Sequence, residues 1–197
     1  MTPEQMQQLS GTRLAPYIQL ATLLIGKSRF GGGNMFRHQL DTMAILVDYG
    51  YIDSVLLKAA IVHDLLEDIP DFNHNNLLSI DFEGHAVYEL VQEVTRRNEE
   101  PKADFLTRIR ESGSHNAKIL KVADRISNMI TLGFVNNLDF ISRYIDETER
   151  YVLPIAVDIS RYMMTELTDL VKSRRKYLED FRNLRTDTEK LDSTYYL

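Results

Sequence analysis

An apolar stretch of eight residues, 55–62, runs directly into a segment with four ionisable side chains in six positions, 63–68. The stretch reads VLLKAAIV and the segment reads HDLLED. Asp53 is a good N-cap, and Pro70 disfavours helix in the residue before it, so we predict one helix carrying Val55–Glu67. Burying charge is costly unless the charge is paired or ligates a metal. The fold must therefore bring partners to the end of a buried helix.

Apolar residues recur at helical spacing along most of the remaining chain, and no segment shows the alternating polarity of a strand. Three successive glycines mark the clearest loop, 28–34, and an Asn-rich polar connector occupies 71–80. A long amphipathic region is expected to be broken or kinked near Pro154. We therefore predict an all-α protein. The further predicted helices are Leu14–Gly26, Asn34 or Met35 to Tyr49, Gly84–Arg97, Pro101–Glu111, Asn116–Leu132 and the amphipathic region Ile141–Phe181.

Length and composition fit one soluble domain. The chain has 197 residues, of which 44% are hydrophobic and 26% charged, enough for one sizeable core. We predict a single-domain helical bundle over residues 1–184 and a polar C-terminal tail at 185–197. The first residues, MTPEQ, lack the order of a signal peptide, and no apolar stretch is long enough to cross a bilayer. We expect a cytoplasmic protein with no membrane partner.

The charge balance and the absence of cysteine exclude several kinds of site. There are 23 basic and 29 acidic residues, a formal net charge of -6, which argues against nucleic acid as a partner because such binding needs a basic face. A small anionic substrate held by a local Arg and Lys cluster stays compatible with this charge. Without cysteine, disulfides and thiolate–zinc sites are impossible, and a reducing cytosol fits.

The segment 63–68 would present its ionisable side chains on one ridge of a helix. Residues four apart share a face, so His63 lies over Glu67 and Asp64 lies over Asp68. One imidazole and three carboxylates then project together from the end of an apolar helix. One helix cannot close a metal site, so further ligands must come from elsewhere in the chain.

Two side chains outside this segment are candidates to complete the site. His38 follows the glycine loop, and Asp124 follows an apolar run on a later helix. With His63 and Asp64 they offer two nitrogens and two carboxylate oxygens, a set that suits Mn²⁺, Fe²⁺ or Zn²⁺. Water and a substrate phosphate would take the open positions of such a catalytic metal. A His-Asp pair alone occurs by chance in many chains, so the metal site is inferred from the full set.

These residues resemble a known superfamily. The order His38, His63-Asp64 and Asp124 is similar to the H…HD…D signature of HD-domain metal-dependent phosphohydrolases, which are all-helical. HDLLED resembles the HDxxED motif of the RelA/SpoT-type alarmone hydrolases, and KVADRISNM at 121–129 resembles the KLADRLHNM segment of that branch. The likeness covers residues 27–156 and implies an HD-domain bundle.

The resemblance implies roles for residues and a cofactor. In that family the four ligands hold Mn²⁺, with Fe²⁺, Zn²⁺ or Mg²⁺ as alternatives here. By position, Glu67 and Asp68 would assist hydrolysis of the 3′-pyrophosphate of guanosine tetra- or pentaphosphate (ppGpp or pppGpp). Arg29 stands where an arginine of the family contacts the nucleotide, and Asn128 and Thr131 match polar residues that line the same pocket.

The chain departs from the family beside the first ligand. Gly33–Gln39 reads GNMFRHQ where the family usually shows a glycine, Pro-Tyr-Ile and then His-Pro. Phe30 replaces the basic residue expected after Arg29. Both departures fall on the side that binds the nucleotide in that family. They leave the metal ligands in place.

The leading hypothesis from the sequence is therefore a metal-dependent phosphohydrolase acting on a small anionic nucleotide. The alternatives are an HD-domain phosphatase on nucleoside monophosphates or other phosphoesters, and a non-catalytic nucleotide sensor. Tyr144, Tyr151 and Tyr162 are interpreted as core or interface residues rather than a platform that stacks a base. The long C-terminal helix could support a homodimer.

Overall fold

The computed structural model describes the backbone of residues 1–194 and the side chains of residues 1–183. Helices make up its regular structure, and across residues 1–194 strand-type pairing is limited to one isolated bridge between Ser28 and Asn34. The prediction of an all-α, single-domain bundle is confirmed. The predicted tail at 185–197 lies outside the residues whose side chains are described.

Short helical turns join some of the α-helices. They are 3₁₀ turns at Thr22–Leu24 and Leu132–Phe134 and a π-helical turn at Thr148–Val152. In chain order the α-helices are α1 (Pro3–Gly11), α2 (Ala15–Ala21), α3 (Met35–Asp48), α4 (Ser54–Val62), α5 (Leu65–Asp68), α6 (Asn75–Leu78), α7 (Gly84–Val94), α8 (Lys102–Ser112), α9 (His115–Thr131), α10 (Leu138–Glu147), α11 (Leu153–Ile159) and α12 (Arg161–Thr194).

The three helices nearest the predicted site begin at side-chain caps. Asn34, Asp53 and Ser114 each accept a hydrogen bond from the backbone N–H three residues later, at 2.9, 2.9 and 3.2 Å. Such caps satisfy N–H groups that the first turn of a helix leaves unpaired. They fix where α3, α4 and α9 start, and hence which way the side chains on each helix point.

Helix α4 forms the centre of the core. Every residue from Leu56 to Val62 is buried, because α3 packs on one side of the helix and α7 on another. Lys58 is buried too, and its ammonium group donates to Asp81 at 2.7 Å and to Glu83. Paired in this way, the charge can lie inside the protein. The apolar run 55–62 thus becomes a fixed platform beneath the ionisable segment.

The structure corrects the prediction of one helix carrying Val55–Glu67. Helix α4 ends at Val62, His63 and Asp64 lie in a turn, and α5 begins at Leu65. The turn keeps near-helical dihedral angles, and the N–H of Asp68 donates to the Asp64 carbonyl at 2.9 Å. The ridge is therefore interrupted at the two proposed ligands. The connector 71–80 also contains helix α6, and α1 was not predicted.

The predicted amphipathic region Ile141–Phe181 divides into three helices. The first break is the π-helical turn just before Pro154, which has no N–H to donate to the preceding turn. The second is at Ser160, whose backbone is extended. Helix α12 then runs for 34 residues. As far as residue 194, no helix is both long and apolar enough to span a bilayer.

Candidate metal centre

Helix α3, the α4–α5 turn and helix α9 bring the four predicted ligands to one point: His38, His63, Asp64 and Asp124. His38 Nε2 lies 3.0 Å from Asp124 Oδ1 and 3.6 Å from Asp64 Oδ2. His63 Nε2 lies 3.4 Å from Asp64 Oδ2 and 3.8 Å from Asp124 Oδ1. Two nitrogens and two carboxylate oxygens thus face one another, although they come from three separate parts of the sequence.

The ring of His63 is prepared to act as a ligand. Its Nδ1 lies 2.8 Å from the Ala60 carbonyl oxygen, which can only accept a hydrogen bond, so the neutral ring carries its proton on Nδ1. Its Nε2 is buried and has no hydrogen-bond partner among the described residues. A buried polar atom without a partner requires an explanation, and a bound ion is one. The free Nε2 of His63, together with the nitrogen and oxygen donors around it, therefore fits a bound metal ion.

The other three side chains are oriented by neighbours. His38 Nδ1 lies 2.9 Å from Ser127 Oγ, and Gln39 Nε2 donates to Asp64 Oδ2 at 2.7 Å. Lys121 Nζ donates to Asp124 Oδ2 at 2.7 Å. Partners of this kind fix the orientation of metal ligands. Sequence reasoning missed Gln39, Ser127 and Lys121, although each lies within three residues of a predicted ligand.

Charge and burial shape the electrostatics of this centre. Burial alone would raise the pKa of Asp124, but Lys121 and the two histidines hold the pKa of that carboxyl well below its usual range. Burial opposes a charge on His63 as well, yet Asp64 and Asp124 raise the pKa of its imidazole to about 9. The carboxylates therefore favour positive charge at the point where the ring nitrogens meet.

His38, His63 and Asp124 could hold a metal ion, since each offers one ligand atom and these atoms all lie within 4.8 Å of one another. All three side chains are buried. Asp64 is the more exposed ligand candidate, and its Oδ2 accepts the hydrogen bond from Gln39. Nitrogen and carboxylate donors together suit a divalent transition metal.

The two predicted catalytic carboxyls lie outside this set of four. Glu67 Oε1 accepts a hydrogen bond from the backbone N–H of Arg96 at 2.6 Å. Burial raises the pKa of Glu67. Burial and the nearby Asp64 raise the pKa of Asp68. Both side chains line the cavity described next, so they can reach a molecule bound against the ligands.

A cavity of about 370 Å³ opens beside the centre. This volume is in the range of sites for small molecules. It is lined by His38, Asp64 and Asp124, by both carboxyls of α5, and by the three predicted substrate contacts, Arg29, Asn128 and Thr131. His63 lies behind this wall. The structure therefore gathers the predicted substrate contacts around the same space as the predicted metal ligands.

Part of the cavity wall was not foreseen from the sequence. Lys102 and Arg125 line it and share one carboxylate, that of Glu147, at 3.2 and 2.6 Å. Tyr144, interpreted as a core or interface residue, also lines it, with the Arg125 guanidinium 4.2 Å from its ring centroid. Phe30 lies on the same wall. The cavity thus combines cations, which suit an anion, with aromatic rings.

Comparison with known proteins matches the fold. No family model matches the chain, and no curated protein matches it in sequence. A solved structure of a metazoan ortholog of SpoT, described as hydrolysing ppGpp and acting in starvation responses, superimposes with a TM-score of 0.71 at 21% identity. The match covers 82% of this chain and 94% of that one. The chain therefore has the all-helical fold of that SpoT ortholog, as the resemblance in its motifs implied.

Proposed function

We propose that this chain is a metal-dependent phosphohydrolase that removes the 3′-pyrophosphate of guanosine tetra- or pentaphosphate. The observation that carries the proposal is the buried, unpartnered Nε2 of His63, facing two carboxylates and a second imidazole beside the cavity. The shared fold with a SpoT ortholog that hydrolyses ppGpp supports the choice of substrate.

The proposed metal ligands are His38, His63, Asp64 and Asp124, and the proposed ion is Mn²⁺, with Fe²⁺, Zn²⁺ and Mg²⁺ as alternatives. An ion bound there would lower the pKa of a bound water and polarise a phosphoryl oxygen. Gln39, Ser127 and Lys121 would hold the ligands in place through the hydrogen bonds described above.

Glu67 and Asp68 are proposed to handle the proton of the attacking water. Both line the cavity one turn beyond Asp64, and the Arg96 N–H holds one oxygen of Glu67 at 2.6 Å. The water would add to the phosphorus attached to the 3′ oxygen while one carboxylate takes its proton. The bond between that phosphorus and the 3′ oxygen would break, and the same proton would pass to the 3′ oxygen, so that the nucleoside 3′-hydroxyl and pyrophosphate separate. Proton acceptance requires hydrogen-bond reach to that water.

Cations on the cavity wall would offset the charge of the substrate. Arg29 lies on one side, and Lys102 and Arg125 lie on the side of Tyr144. The latter two share the single carboxylate of Glu147, so positive charge is in excess there. Guanidinium and ammonium groups form strong hydrogen bonds to phosphate oxygens.

The test is a turnover assay with purified protein, Mn²⁺ and ppGpp, reading pyrophosphate release beside bound metal. We expect Asp64→Ala and Asp124→Ala to lose both metal and activity. Glu67→Ala should retain the metal and lose rate, by a factor of roughly 10² to 10⁴ for a missing general base. A fully active Asp64→Ala protein would overturn the scheme. Orthophosphate release from nucleoside monophosphates would identify a broader phosphatase, and bound metal without turnover would identify a sensor.

A further inference from the structure

Phe30 lies at the tip of a closed turn rather than in a loose loop. The N–H of Gly32 donates to the Arg29 carbonyl at 3.1 Å, which makes Phe30 the second residue of a β-turn. A second bond joins the Arg29 N–H to the Gly33 carbonyl at 3.1 Å. Gly32 and Gly33 have φ of 86° and 75°, a region that favours glycine. The backbone thus fixes the position from which the Phe30 side chain projects.

Gly31 sets the distance between this turn and helix α9. A Cβ atom added to Gly31 would lie 3.2 Å from Thr131 Oγ1, so the turn is in close contact with the helix that carries Asp124. The contact places Phe30 on the wall of the same cavity as the proposed metal ligands. Phe30 is nevertheless 66% exposed. An exposed aromatic ring on a fixed turn beside a cavity is available to a ligand.

Two further aromatic rings continue the surface of Phe30. Its ring centroid lies 4.8 Å from that of Phe140, and the Phe140 ring stacks on Tyr144 at 5.6 Å with an angle of 25° between the planes. All three rings line the cavity. We call Phe30, Phe140 and Tyr144 the aromatic wall. It offers a face on which a planar base can stack, and stacking is tolerant of base identity.

The polar side chains predicted to line the substrate pocket are occupied within the protein. Asn128 uses its side-chain N–H groups on Asp124, at 2.5 Å to Oδ1 and 3.0 Å to the carbonyl, and its Oδ1 accepts from Arg29 Nη2 at 2.6 Å. The hydroxyl of Thr131 points to carbonyls of its own helix, at 3.2 Å to that of Asn128. Asn128 thus supports Asp124, and both side chains have little hydrogen bonding left for a base edge.

We infer that this cavity holds the nucleobase by stacking on the aromatic wall, with Phe30 as the main contact, so that guanosine and adenosine 3′-pyrophosphates are both substrates. The inference rests on the proposed function and concerns the base at that same site. A site that reads a base by hydrogen bonds rejects the wrong one strongly, because its polar groups are then left unpaired. A stacking surface imposes no such penalty.

The test measures turnover of ppGpp and of its adenosine counterpart ppApp with Mn²⁺, together with equilibrium binding of GDP and ADP by calorimetry. GDP and ADP carry no 3′-phosphate, so they report the base contact without hydrolysis. We expect kcat/KM for the two substrates, and Kd for the two diphosphates, to agree within about tenfold. Loss of one stacked base corresponds to roughly 5- to 150-fold in Kd.

Variants of Phe30 give the decisive comparison. Phe30→Ala should weaken binding of GDP and ADP alike by that factor and raise KM for both substrates, while Phe30→Tyr, which keeps the ring, should bind like the wild type. Phe82→Ala is the matched control, since Phe82 is 94% exposed and does not line this cavity. Upfield shifts of base protons on binding, absent in Phe30→Ala, would identify stacking.

Unchanged Kd values in Phe30→Ala, or a preference of more than a hundredfold for guanosine, would overturn the inference. Such results together with normal pyrophosphate release from ppGpp would leave the proposed function intact. Binding of GDP and ADP that depends on Phe30, without turnover of either pyrophosphate, would overturn the proposed function and support the base contact.

Discussion

At the scale of single residues, His63 is oriented by a backbone carbonyl and His38 by a side-chain hydroxyl, and the two contacts have different consequences. The Ala60 carbonyl can only accept, so it fixes both the orientation and the tautomer of His63. The Ser127 hydroxyl beside His38 can donate or accept, so this contact fixes the orientation of that ring without fixing its tautomer. His63 thus presents an unprotonated Nε2 to the centre, and the Ser127 contact permits His38 to do the same.

A prediction at this scale concerns Gln39, whose side chain orients Asp64 through a hydrogen bond. Gln39 is fully buried, and its Nε2 donates to Asp64 Oδ2 at 2.7 Å. Gln39→Ala frees the carboxylate to rotate, so we expect Mn²⁺ affinity to fall by roughly 10- to 100-fold. Calorimetric titration of the metal-free protein with Mn²⁺ measures this.

The matched control is Gln92→Ala, at an exposed glutamine of α7, which should bind Mn²⁺ like the wild type. Activity of Gln39→Ala should recover at saturating Mn²⁺, since the residue positions a ligand and does not touch the proposed substrate. Unaltered Mn²⁺ affinity in this variant would show that Asp64 needs no such support.

The sequence could predict those site residues that lie close together along the chain. HDLLED concentrates metal-ligating side chains in one short segment, so it was recognisable without a structure. The unpartnered Nε2 of His63 was not, because it depends on atoms from three separate elements. Tyr144 does pack against the core, as its helical spacing indicated, but that spacing could not show that its ring also lines the cavity.

At the scale of elements, the starts of helices α3 and α9 could be predicted from the sequence, but the end of α4 could not. Helices α3 and α9 begin within one residue of their predicted starts, because Asn34 and Ser114 are caps that can be read locally. The end of α4 at Val62 carries no such signal: neither Gly nor Pro follows at once, and Leu65, Leu66 and Glu67 are good helix formers. Tertiary contacts at His63 and Asp64 decide that break.

Gly84 supports a prediction about the packing of α7 on α6. A Cβ at Gly84 would lie 2.5 Å from the Leu78 carbonyl oxygen and 2.7 Å from that of Leu77. Gly84→Ala must therefore push two helices apart, and we expect it to lower the free energy of unfolding by about 1–3 kcal/mol. Urea denaturation measures the change.

Gly26→Ala is the control for this substitution. A Cβ added to Gly26 would meet no described atom within 4 Å, and its φ lies outside the left-handed region. This variant should keep the wild-type free energy of unfolding within about 0.5 kcal/mol. Equal destabilisation by both alanines would contradict the assigned contact at Gly84.

The connection between α7 and α8 should respond to acid through Glu100. Arg108 donates to both oxygens of Glu100, at 2.8 and 3.0 Å, and to two carbonyls near the end of α7. The hydrogen bonds that Arg108 donates to the carboxylate lower the pKa of Glu100 from 4.5 to about 2. A carboxyl whose pKa is lowered by folding stabilises the fold above its unfolded pKa and loses that contribution as the pH falls through the folded value.

We therefore expect the stability contributed by Glu100 to be complete above pH 4.5 and to disappear as the pH falls to about 2. Glu100→Gln should be less stable than the wild type at pH 7, with the difference shrinking across this window. Urea unfolding from pH 7 to pH 2 follows both proteins. Glu99→Gln, at the exposed neighbour, should track the wild type, and a constant difference at every pH would refute the linkage.

At the scale of the whole molecule, the centre joins parts of the chain that local structure does not hold together. His38 comes from α3, His63 and Asp64 from the α4–α5 turn, and Asp124 from α9. The sequence indicated which residues belong together, through their motifs, but not how α3, α4 and α9 pack. That arrangement arises from burial of α4 on all sides, a property of the entire core.

A metal bound to these four residues would tie the three elements to one another, so metal and folding should be thermodynamically linked. A ligand that binds only the folded state stabilises it by about 2.7 kcal/mol at a concentration a hundredfold above its Kd. For a chain of this length, that corresponds to a rise in Tm of roughly 5–10 °C. We expect Mn²⁺ to raise the Tm of the metal-free protein by this amount and excess chelator to reverse the rise.

Asp124→Asn is the control that separates this linkage from general effects of salt. It removes the carboxylate charge at the position where α9 meets both histidines, while the amide keeps a similar shape. Its Tm should be the same with and without Mn²⁺, whatever its value in the absence of metal. An equal Tm rise in the variant and the wild type would place the ion elsewhere, because a cation bound at an unrelated surface cluster would stabilise both proteins alike.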